Sequence, residues 1–405
     1  MKICFLSFEY PPGYSGGIGT YIHLASRALA QAGQEVTVIC GKFPGTVVTE
    51  EPYPGINVVR LEWQRQGRYW NLEPEMRNLQ KIAETVRELH NDQPFDVIEA
   101  PDFQAEAYQL LKNGFNCPII SRLHSPFDLV WELSTRQVRS RLRRFLVFCL
   151  VIYPRLKLLR LVLEKSIRLH APSLAIAHLT AKRYDINLHK IDHVPNLFVP
   201  TPVQSFKKHR QPFTVLYVGR LEVRKGVQLF AEIIPRVLER FPQSRFIFLG
   251  KDQPFGNRPS MKDWLITQLG PAASICDFVG PVPYAQVQDF MRQASICVFP
   301  SLWECFGYVC LEAMAAGAAV VGSLRGGMAE IIEDGASGFL ADPEAPLSFA
   351  EKIIMALSEP KLRESMGQAA QQRVFERYRP EVIIPQQLEA YQKAIEQFNQ
   401  SPSSY

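Results

Sequence analysis

Short β-rich runs alternate with amphipathic helical patterns along almost the whole chain, and the series occurs twice. The runs of the first series are KICFLSF, EVTVIC, NVVRLE, FDVIEA and CPIISRL. Those of the second series are TVLYVG, RFIFLG, SICDFVG, SICVFPS and AAVVGS. Alternation of this kind predicts parallel sheets that are covered by helices on both faces. The pattern therefore predicts an α/β protein with two doubly wound domains.

The length agrees with two domains, because 405 residues exceed what a single hydrophobic core usually holds. A stretch rich in proline and polar residues, 193–213, predicts the linker between the two series. We therefore expect an N-terminal domain over residues 1–198 and a C-terminal domain over 199–381. A last helical pattern, 382–400, is expected to cross back to the N-terminal domain.

Composition excludes several classes of protein. The net charge of +5 is too small to indicate a nucleic-acid partner. The eight cysteines are scattered without a Cys-x-x-Cys pair, which predicts free thiols in a reducing compartment and argues against zinc. The longest apolar run, 145–153, stops at Pro154 and is far shorter than the roughly 18 to 20 residues of a spanning helix. The N-terminus enters a strand pattern at once, so cytoplasm is the expected location.

A glycine-rich loop joins the first β-rich run to the first helical pattern in YPPGYSGGIGTYIHL. Its glycines would let backbone amides approach an anion at the helix N-terminus; they are Gly13, Gly16, Gly17 and Gly19. The loop lacks the third glycine of the dinucleotide-binding motif and the Gly-Lys-Ser/Thr of a P-loop. A flexible turn between strand and helix stays an open alternative for this stretch taken alone.

Two cations follow the first run of the second series, in VLYVGRLEVRKGVQLF. Arg220 lies just past the strand end, and Lys225 directly precedes Gly226, which opens a helix. Two cations at a helix N-terminus would suit a diphosphate, with each charge-assisted hydrogen bond contributing about 1.5–3 kcal/mol. A solvated basic loop is the alternative.

Two carboxylates flank a strand-to-helix turn in ECFGYVCLE. The amides of Gly307, Tyr308 and Val309 form a helix N-terminus that would favour an anion. Glu304 precedes this turn and Glu312 lies one turn further along the helix. One acid on each side could then accept hydroxyl hydrogen bonds from either end of a ligand that has a diphosphate in its middle. A helix start with solvated glutamates is the alternative.

A histidine follows the last run of the first series, in CPIISRLHSPF. At the carboxyl end of a strand, His124 could form a hydrogen bond with a sugar hydroxyl or carbonyl. A purely structural histidine is the alternative.

The segment 135–168 is strongly basic and carries interleaved bulky apolar residues. Its single acid is Glu164, and its basic residues are Arg136, Arg139, Arg141, Arg143, Arg144, Arg155, Lys157, Arg160, Lys165 and Arg168. Such a surface suits an anionic bilayer, where each basic residue contributes about 1 kcal/mol. The alternative is a core helix of the N-terminal domain with solvated arginines.

Three stretches together carry a resemblance to a known family. They are VGRLEVRKG, GPVPYAQVQDFMRQASICVFPSLWECFGYVCLEAMAAGAAVV and RGGMAEIIEDGASGFL. In order and spacing they resemble the C-terminal domain of the retaining glycosyltransferases of family 4, the glycosyltransferase group 1 with the GT-B fold. The stretches GGIGTYIHLASRALAQAGQEVTVI and APSLAIAHLTAKRYDINLHKIDHVPN fit the N-terminal domain, so the resemblance covers nearly the whole chain. It implies two Rossmann-like domains that face each other across a cleft.

The resemblance also implies an activity and its residues. The activity is transfer of a sugar from a nucleotide-diphosphate sugar to a glycan or lipid-linked acceptor, with retention, without a metal and without a further cofactor. The implied catalytic residues are His124, Arg220, Lys225 and Glu304. The implied donor-binding residues are Gly16, Gly17, Arg220, Lys225, Val282, Glu304, Phe306, Gly307, Tyr308, Val309 and Glu312. In this scheme Arg220 and Lys225 hold the diphosphate, Glu312 the ribose, and Glu304 with the backbone of Phe306 and Gly307 the donor sugar. Gly17 leaves room for the phosphates, His124 lines the reacting sugar, and the base lies near 280–284, which includes Val282.

Some positions depart from the family pattern, and other functions of the same fold stay open. Ala319 and Ala329 stand where proline is common, and Gln34 stands where histidine is common, but none of these removes an implied ligand. A nucleotide-sugar epimerase or a phosphorylase-like enzyme of the same fold is one alternative. A non-catalytic, membrane-bound nucleotide-binding module is another. Synthesis of a cell-surface polysaccharide or glycolipid is the expected role, at a peripheral position on the cytoplasmic face of a membrane.

Overall fold

The chain forms two compact units, each built on a parallel β-sheet. The computed structural model describes residues 1–12, 16–42, 53–63, 72–135, 140–199 and 210–400. The first unit comprises Met1–Asp128, Ser140–Val199 and Pro380–Tyr405, and the second comprises Leu129–Arg139 and Pro200–Arg379.

The first part of the chain alternates strands and helices up to residue 199. Its strands are β1 (Lys2–Ser7), β2 (Glu35–Lys42), β3 (Ile56–Glu62), β4 (Val97–Pro101), β5 (Ile119–Arg122), β6 (Arg168–Ala171) and β7 (Ile191–His193). Its helices are α1 (Gly17–Gln31), α2 (Glu73–Asp92), α3 (Tyr108–Lys112), α4 (Phe127–Ser134), α5 (Arg141–Val147), α6 (Tyr153–Lys165) and α7 (Leu174–Tyr184). A π-helical turn, Phe148–Ile152, joins α5 to α6, and a short 3-10 turn, Leu188–Lys190, precedes β7.

The first sheet has seven parallel strands in the order β3-β2-β1-β4-β5-β6-β7. Ile3 of β1 pairs with Val36 on one side and with Val97 on the other. The direction of winding reverses between β1 and β4, and open α/β sheets bind ligands beyond the carboxyl ends of strands at such a point. Loops that follow β1 and β4 are therefore the places where this unit can hold a ligand.

The second part of the chain repeats the pattern. Its strands are β8 (Thr214–Val218), β9 (Arg245–Leu249), β10 (Cys276–Gly280), β11 (Ile296–Phe299), β12 (Val320–Ser323) and β13 (Phe339–Ala341). Its helices are α8 (Phe230–Arg240), α9 (Met261–Leu269), α10 (Tyr284–Gln293), α11 (Tyr308–Ala315), α12 (Met328–Ile331), α13 (Pro346–Ser358) and α14 (Pro360–Arg377). The sheet is parallel, in the order β10-β9-β8-β11-β12-β13, so its winding reverses between β8 and β11. The core beneath it is apolar and aromatic, with Phe230 packed edge-on against Phe246 and Phe248.

The predicted fold class is confirmed, since all ten β-rich runs form strands of two parallel sheets. Three strands, β6, β7 and β13, were not predicted. The apolar run 145–153 is helical, and helical structure continues past Pro154 through α6. Pro154 lies in the first turn of α6, where a missing N–H costs little. None of the helices in the described part of the chain is long and apolar enough to cross a membrane.

A buried polar network connects the last helix, α15 (Pro380–Gln400), to the rest of the first unit. The hydroxyl of Tyr391 donates to Glu99 over 2.8 Å, and that of Tyr21 donates to the other carboxylate oxygen over 2.7 Å. The ring of His170 stacks on Tyr391, with 5.6 Å between centroids. Burial alone would raise the pKa of Glu99, but the neighbouring His170, Arg122 and Tyr21 lower it to about 2. Glu99 is therefore an ionised carboxylate that requires each of its donors.

We expect Tyr391→Phe to destabilise the first unit by about 1–3 kcal/mol, because a buried carboxylate loses a hydroxyl donor. Urea denaturation of the full chain, followed by circular dichroism, measures the change. Tyr153→Phe is the matched control, since the Tyr153 side chain is half exposed. Equal urea midpoints for Tyr391→Phe and the parent protein would contradict the role of this network.

Candidate active site

Close contact between two loops of the second unit builds the frame of the site. One loop follows β8 and contains a short 3-10 turn, Val223–Lys225, and the other follows β11. Gly226 ends the turn with φ of +75°, and a Cβ at this position would lie 1.8 Å from the carbonyl oxygen of Pro300. The amide of Leu302 also donates to the carbonyl of Arg224 over 2.8 Å. A side chain at 226 would therefore push apart the loops that carry the charged residues.

Glu304 is the centre of a charged cluster between these loops. Its Oε1 accepts hydrogen bonds from Nζ of Lys225, from Nη1 of Arg224 at 3.3 Å and from Oγ of Ser301 at 3.3 Å. Burial would raise the pKa of Glu304, but Lys225 and Arg224 hold it below its usual value. Among the residues that the structure describes, none donates to the second oxygen, Oε2. The site thus presents an ionised carboxylate with one oxygen open to a ligand.

A second carboxylate connects the remaining cation to the cluster. Oε1 of Glu222 accepts from Nη2 of Arg220 at 3.2 Å and from Nη2 of Arg224 at 2.9 Å. The Arg220 side chain is 49% exposed, whereas that of Arg224 is 12% exposed. The three cations and two carboxylates of the cluster have a net charge of +1, and Arg220 is the most exposed of the three cations.

Helix α11 begins at Tyr308, after the turn that follows Glu304, as the sequence predicts. Gly307 precedes it with φ of +112°, and a Cβ there would lie 2.8 Å from Cγ of Met328. Phe306 is buried, and the amides that open α11 follow it at Tyr308 and Val309. An eight-residue helix that starts beside the cluster adds a partial positive charge to it.

Glu312 lies on the second turn of α11 and is partly buried. No described residue forms a hydrogen bond or an ion pair with its carboxylate. Burial raises the pKa of Glu312 to about 7. An isolated acid of this kind changes its charge near neutral pH.

The loop that contains Val282 begins beside the Arg220 turn. The amide of Gly250 donates to the carbonyl of Gly280 over 3.0 Å, and a Cβ on Gly250 would lie 2.0 Å from the carbonyl oxygen of Gly219. The ends of β8, β9 and β10 therefore meet at one edge of the sheet. Val282 itself shares no hydrogen bond with the charged cluster.

In the first unit, the amides of the glycine-rich loop face a carboxylate of the protein itself. The amide of Gly16 donates to Oε2 of Glu9 over 2.6 Å, and that of Gly19 donates to the same oxygen over 3.3 Å. The space where a Cβ of Gly17 would point is open to 4 Å. Gly13 lies outside the described residues. That Gly16 and Gly17 face donor phosphates stays a prediction.

His124 is buried, and an aspartate that the sequence analysis did not single out fixes its ring. Nδ1 of His124 lies 3.0 Å from the carbonyl oxygen of Arg122 and 3.3 Å from Oδ1 of Asp102. Because a backbone carbonyl oxygen can only accept, Nδ1 carries a proton in this arrangement. Burial raises the pKa of Asp102, and its bonds to His124 oppose that rise. Nε2 has no hydrogen-bond partner among the described residues.

A cavity of about 60 Å³ lies in the same unit. Its lining comes from segments that follow β3, β4 and β5 and from helices α2 and α6. The lining residues are Trp63, Glu75, Asn78, Leu79, Phe103, Gln104, Ala105, Phe127, Arg155, Leu158 and Leu159. Arg155 forms an ion pair with Glu75 in this wall, so the charges in the lining balance. The cavity therefore favours a neutral, largely apolar group.

The basic segment is helical and places apolar side chains in solvent. Helix α5 has no buried residue, and Leu142 and Phe145 are 69% and 63% exposed. Leu146, Leu150 and Tyr153 are also exposed. The alternative of a core helix with solvated arginines therefore does not hold for residues 141–150. Arg136 and Arg139 lie outside the described residues.

Sequence reasoning missed five residues of these sites, namely Glu9, Asp102, Glu222, Arg224 and Ser301. Arg224 directly precedes Lys225 in EVRKG, and Asp102 directly follows the buried run of β4. Charged residues at the carboxyl ends of strands were thus the available signal. Their pairing could not be seen, since Arg224 and Glu304 are 80 positions apart. The described residues contain no group of three or more His, Cys, Asp and Glu side chains that could hold a metal ion.

Two Rossmann-like units, each with a parallel sheet and a winding reversal, define the GT-B class of protein. A family model described as Glycosyltransferase Family 4 matches residues 15–199, and one described as Glycosyl transferases group 1 matches residues 201–373. The chain belongs to the family 4 glycosyltransferases with the GT-B fold.

Relatives and a solved structure agree with this assignment over most of the chain. A glycogen synthase of Mycobacterium tuberculosis is 26% identical over 402 residues, covering 92% of this chain and 90% of its own length. A phosphatidyl-myo-inositol mannosyltransferase of Mycolicibacterium smegmatis is 26% identical over 400 residues, covering 96% and 92%. The structure of sucrose-phosphate synthase from Thermosynechococcus elongatus is similar, with a TM-score of 0.75 and 22% identity over 97% of this chain and 98% of that one.

Proposed function

We propose that this glycosyltransferase retains the anomeric configuration and moves a sugar from a nucleotide-diphosphate donor to a glycan or lipid-linked acceptor. The charged cluster around Glu304 carries the proposal. It combines fixed cations, the start of α11 and a carboxylate oxygen that no described residue occupies. The first two suit the diphosphate on which negative charge develops, and the third suits a hydroxyl of the sugar.

Each residue then has a role in the transfer. Arg220 and Lys225 bind the diphosphate, Glu304 accepts from the donor sugar and Glu312 accepts from the ribose. The bond between the sugar carbon and the diphosphate oxygen breaks, and its electron pair goes to the diphosphate. The acceptor oxygen forms the new bond on the face from which the diphosphate leaves, and its proton goes to the departing diphosphate oxygen. His124 is proposed to line the reacting sugar, since Asp102 fixes its ring and Nε2 has no partner among the described residues.

We propose that no divalent metal is needed. The cations of the cluster already carry positive charge to the position of the diphosphate, which is the role that a metal ion has in many transferases.

A donor screen tests the proposed function. Hexoses linked to UDP, GDP and ADP are incubated with the protein in EDTA, or with added manganese, and the released sugar is analysed by NMR for its anomeric form. We expect slow hydrolysis of at least one donor in EDTA, with retention. Turnover only with manganese would contradict metal independence.

The same screen separates the proposed transferase from three different proteins that the fold could support. Nucleoside-diphosphate binding without any turnover would indicate a non-catalytic module. An epimerised nucleotide sugar would indicate an epimerase, and a sugar phosphate formed only with added inorganic phosphate would indicate a phosphorylase-like enzyme.

Removal of either diphosphate cation should abolish most turnover. Lys225→Ala and Arg220→Ala each lose a fixed charge that stabilises the departing diphosphate, so we expect kcat to fall about 10²-fold or more. The control is Arg236→Ala, an exposed arginine on α8 that pairs with Glu239. Near-wild-type rates in Lys225→Ala or Arg220→Ala would exclude the assigned role.

The titration of Glu312 should appear in nucleotide binding. Its pKa of about 7 belongs to the free protein, and ribose hydroxyls donate best to the ionised form, so binding favours loss of the proton. Below pH 7 the affinity for the nucleoside diphosphate should therefore fall by up to about tenfold per pH unit. Calorimetry with UDP, GDP and ADP from pH 5.5 to 8.5 measures this. The ligand phosphates also titrate, so Glu312→Gln is the reference, and identical pH profiles for both proteins would contradict the role.

The acceptor is proposed to carry an apolar part. The cavity of the first unit is lined mainly by apolar side chains, and the charge of Arg155 in its wall is balanced by Glu75. Such a lining does not offer an unpaired cation for an anionic glycan. The name of the mycobacterial phosphatidyl-myo-inositol mannosyltransferase describes a lipid acceptor and agrees with this proposal.

The exposed helix α5 is proposed to bring the enzyme to an anionic membrane, as a peripheral protein on the cytoplasmic face. Leu142, Phe145 and Leu146 can enter the interface while neighbouring arginines contact headgroups. A peripheral position would place the site beside a lipid-linked acceptor.

We expect the protein to co-sediment with vesicles containing anionic phosphatidylglycerol at low salt and to be released at high salt. Replacement of Arg141, Arg143 and Arg144 by Gln, or of Leu142, Phe145 and Leu146 by Ser, should abolish binding. The matched control replaces three exposed arginines of the second unit by Gln, namely Arg236, Arg240 and Arg245. Protein that stays in the supernatant at low salt, or variants that bind unchanged, would rule out membrane attachment and make a water-soluble acceptor the better proposal.

A further inference from the structure

The hydrogen bond of Lys225 to Glu304 must change when a diphosphate binds. Its Nζ donates to Oε1 of Glu304 and to no other residue that the structure describes. The same ammonium is the cation proposed to hold the diphosphate. It must therefore turn, wholly or in part, from Glu304 to the ligand.

This change in the hydrogen bond of Lys225 favours protonation of Glu304. A largely buried carboxylate stays ionised because cations lie beside it, and an arriving diphosphate is a further anion. In the described part of the chain the other polar or titratable groups that face the cluster are the Ser301 hydroxyl, the Tyr217 phenol, the Cys305 and Cys310 thiols, the Glu222 carboxylate and the Arg220 guanidinium. Arg220 is a cation, but its hydrogen bond goes to Glu222 and not to Glu304, and it is proposed to bind the diphosphate itself. Without another positive charge, Glu304 would take up a proton when the donor binds.

Arg224 is the cation that can remain. Its Nη1 lies 3.3 Å from Oε1 of Glu304, and its Nη2 lies 2.9 Å from Oε1 of Glu222. Its Nη1 also lies 3.5 Å from the carbonyl oxygen of Trp303, and its own carbonyl accepts from the amide of Leu302. Burial disfavours the charged guanidinium, but the two carboxylates raise the pKa of Arg224 above its usual value. Fixed from several directions, it cannot follow the ligand as the more exposed Lys225 side chain can.

We propose that Arg224 is a positioning residue that keeps Glu304 a carboxylate, with Oε2 directed to the donor sugar, when Lys225 transfers its hydrogen bond to the diphosphate. The inference rests on the proposed function. It explains why an arginine occupies this position, since one planar guanidinium reaches two carboxylates from different loops. A lysine would supply the charge but only a single point of contact.

The kinetic test compares Arg224→Gln and Arg224→Lys by their pH profiles of donor hydrolysis. In Arg224→Gln the acid limb of kcat should move up by about 1–3 pH units, because Glu304 loses its remaining cation. KM for the donor should change little, since Arg224 is not proposed to contact it. Arg224→Lys should restore the acid limb with a lower kcat. An acid limb that stays in place in Arg224→Gln, with rate lost equally at all pH values, would show a merely structural role. Arg236→Gln is the control.

A second measurement needs no turnover. The carboxyl carbon of Glu304 is followed by NMR in protein labelled with ¹³C-glutamate, and Glu304→Gln assigns its signal. Inorganic pyrophosphate is the probe for the diphosphate. We expect pyrophosphate to raise the pKa of Glu304 strongly in Arg224→Gln and only slightly in the parent protein. Equal shifts in both would overturn the inference. If no donor is turned over, the proposed function fails, and this titration still decides the role of Arg224.

Discussion

The buried ion pairs of Glu304 are the interaction on which the rest of the site depends. Arg220, Arg224 and Lys225 lie within six positions of one another. Without neighbouring carboxylates their positive charges would repel one another and destabilise this conformation of the loop. Glu304 and Glu222 hold them in place. The cluster therefore has enough positive charge to bind a diphosphate, yet its net charge is close to zero when no diphosphate is bound. Its net charge of +1 is small, and the ligand anion completes the balance.

Close backbone contacts fix the positions of the loops that carry these charged residues. Gly226 meets the carbonyl of Pro300, and a Cβ on Gly326 would lie 2.1 Å from the carbonyl oxygen of Glu304. The loops after β8, β11 and β12 therefore touch without intervening side chains. Charged groups on such loops have little freedom to separate, so each ion pair costs less conformational entropy when it forms. Precise placement of Glu304 follows from glycine at positions where no other residue fits.

The sequence was sufficient for what local patterns determine and insufficient for what distant partners determine. Apolar runs predicted the ten strands, and the positions of Arg220, Lys225 and Glu304 after strand ends predicted that these residues lie at the ligand-binding edge of the sheet. Strand β6 was missed because it contains Arg168 and His170, which are typical of surface positions. Arg168 is buried only through its bidentate pairing with Asp192 on the next strand, at 2.6 and 2.7 Å. Arg224 was missed for the same reason, since its significance depends on Glu304, 80 positions away.

In the first unit, too, a carboxylate of the protein lies where an anion could bind. Glu9 accepts hydrogen bonds from the amides of Gly16 and Gly19, as an external anion would at the start of α1. The amide of Gly16 already donates to Glu9, so a phosphate could bind this amide only if Glu9 moved away. Gly17 has open space instead. Displacing Glu9 would cost its hydrogen bonds to both amides, which would weaken phosphate binding at Gly16. Of the two predicted phosphate contacts, the one at Gly17 therefore requires the smaller change in the loop, and both remain predictions.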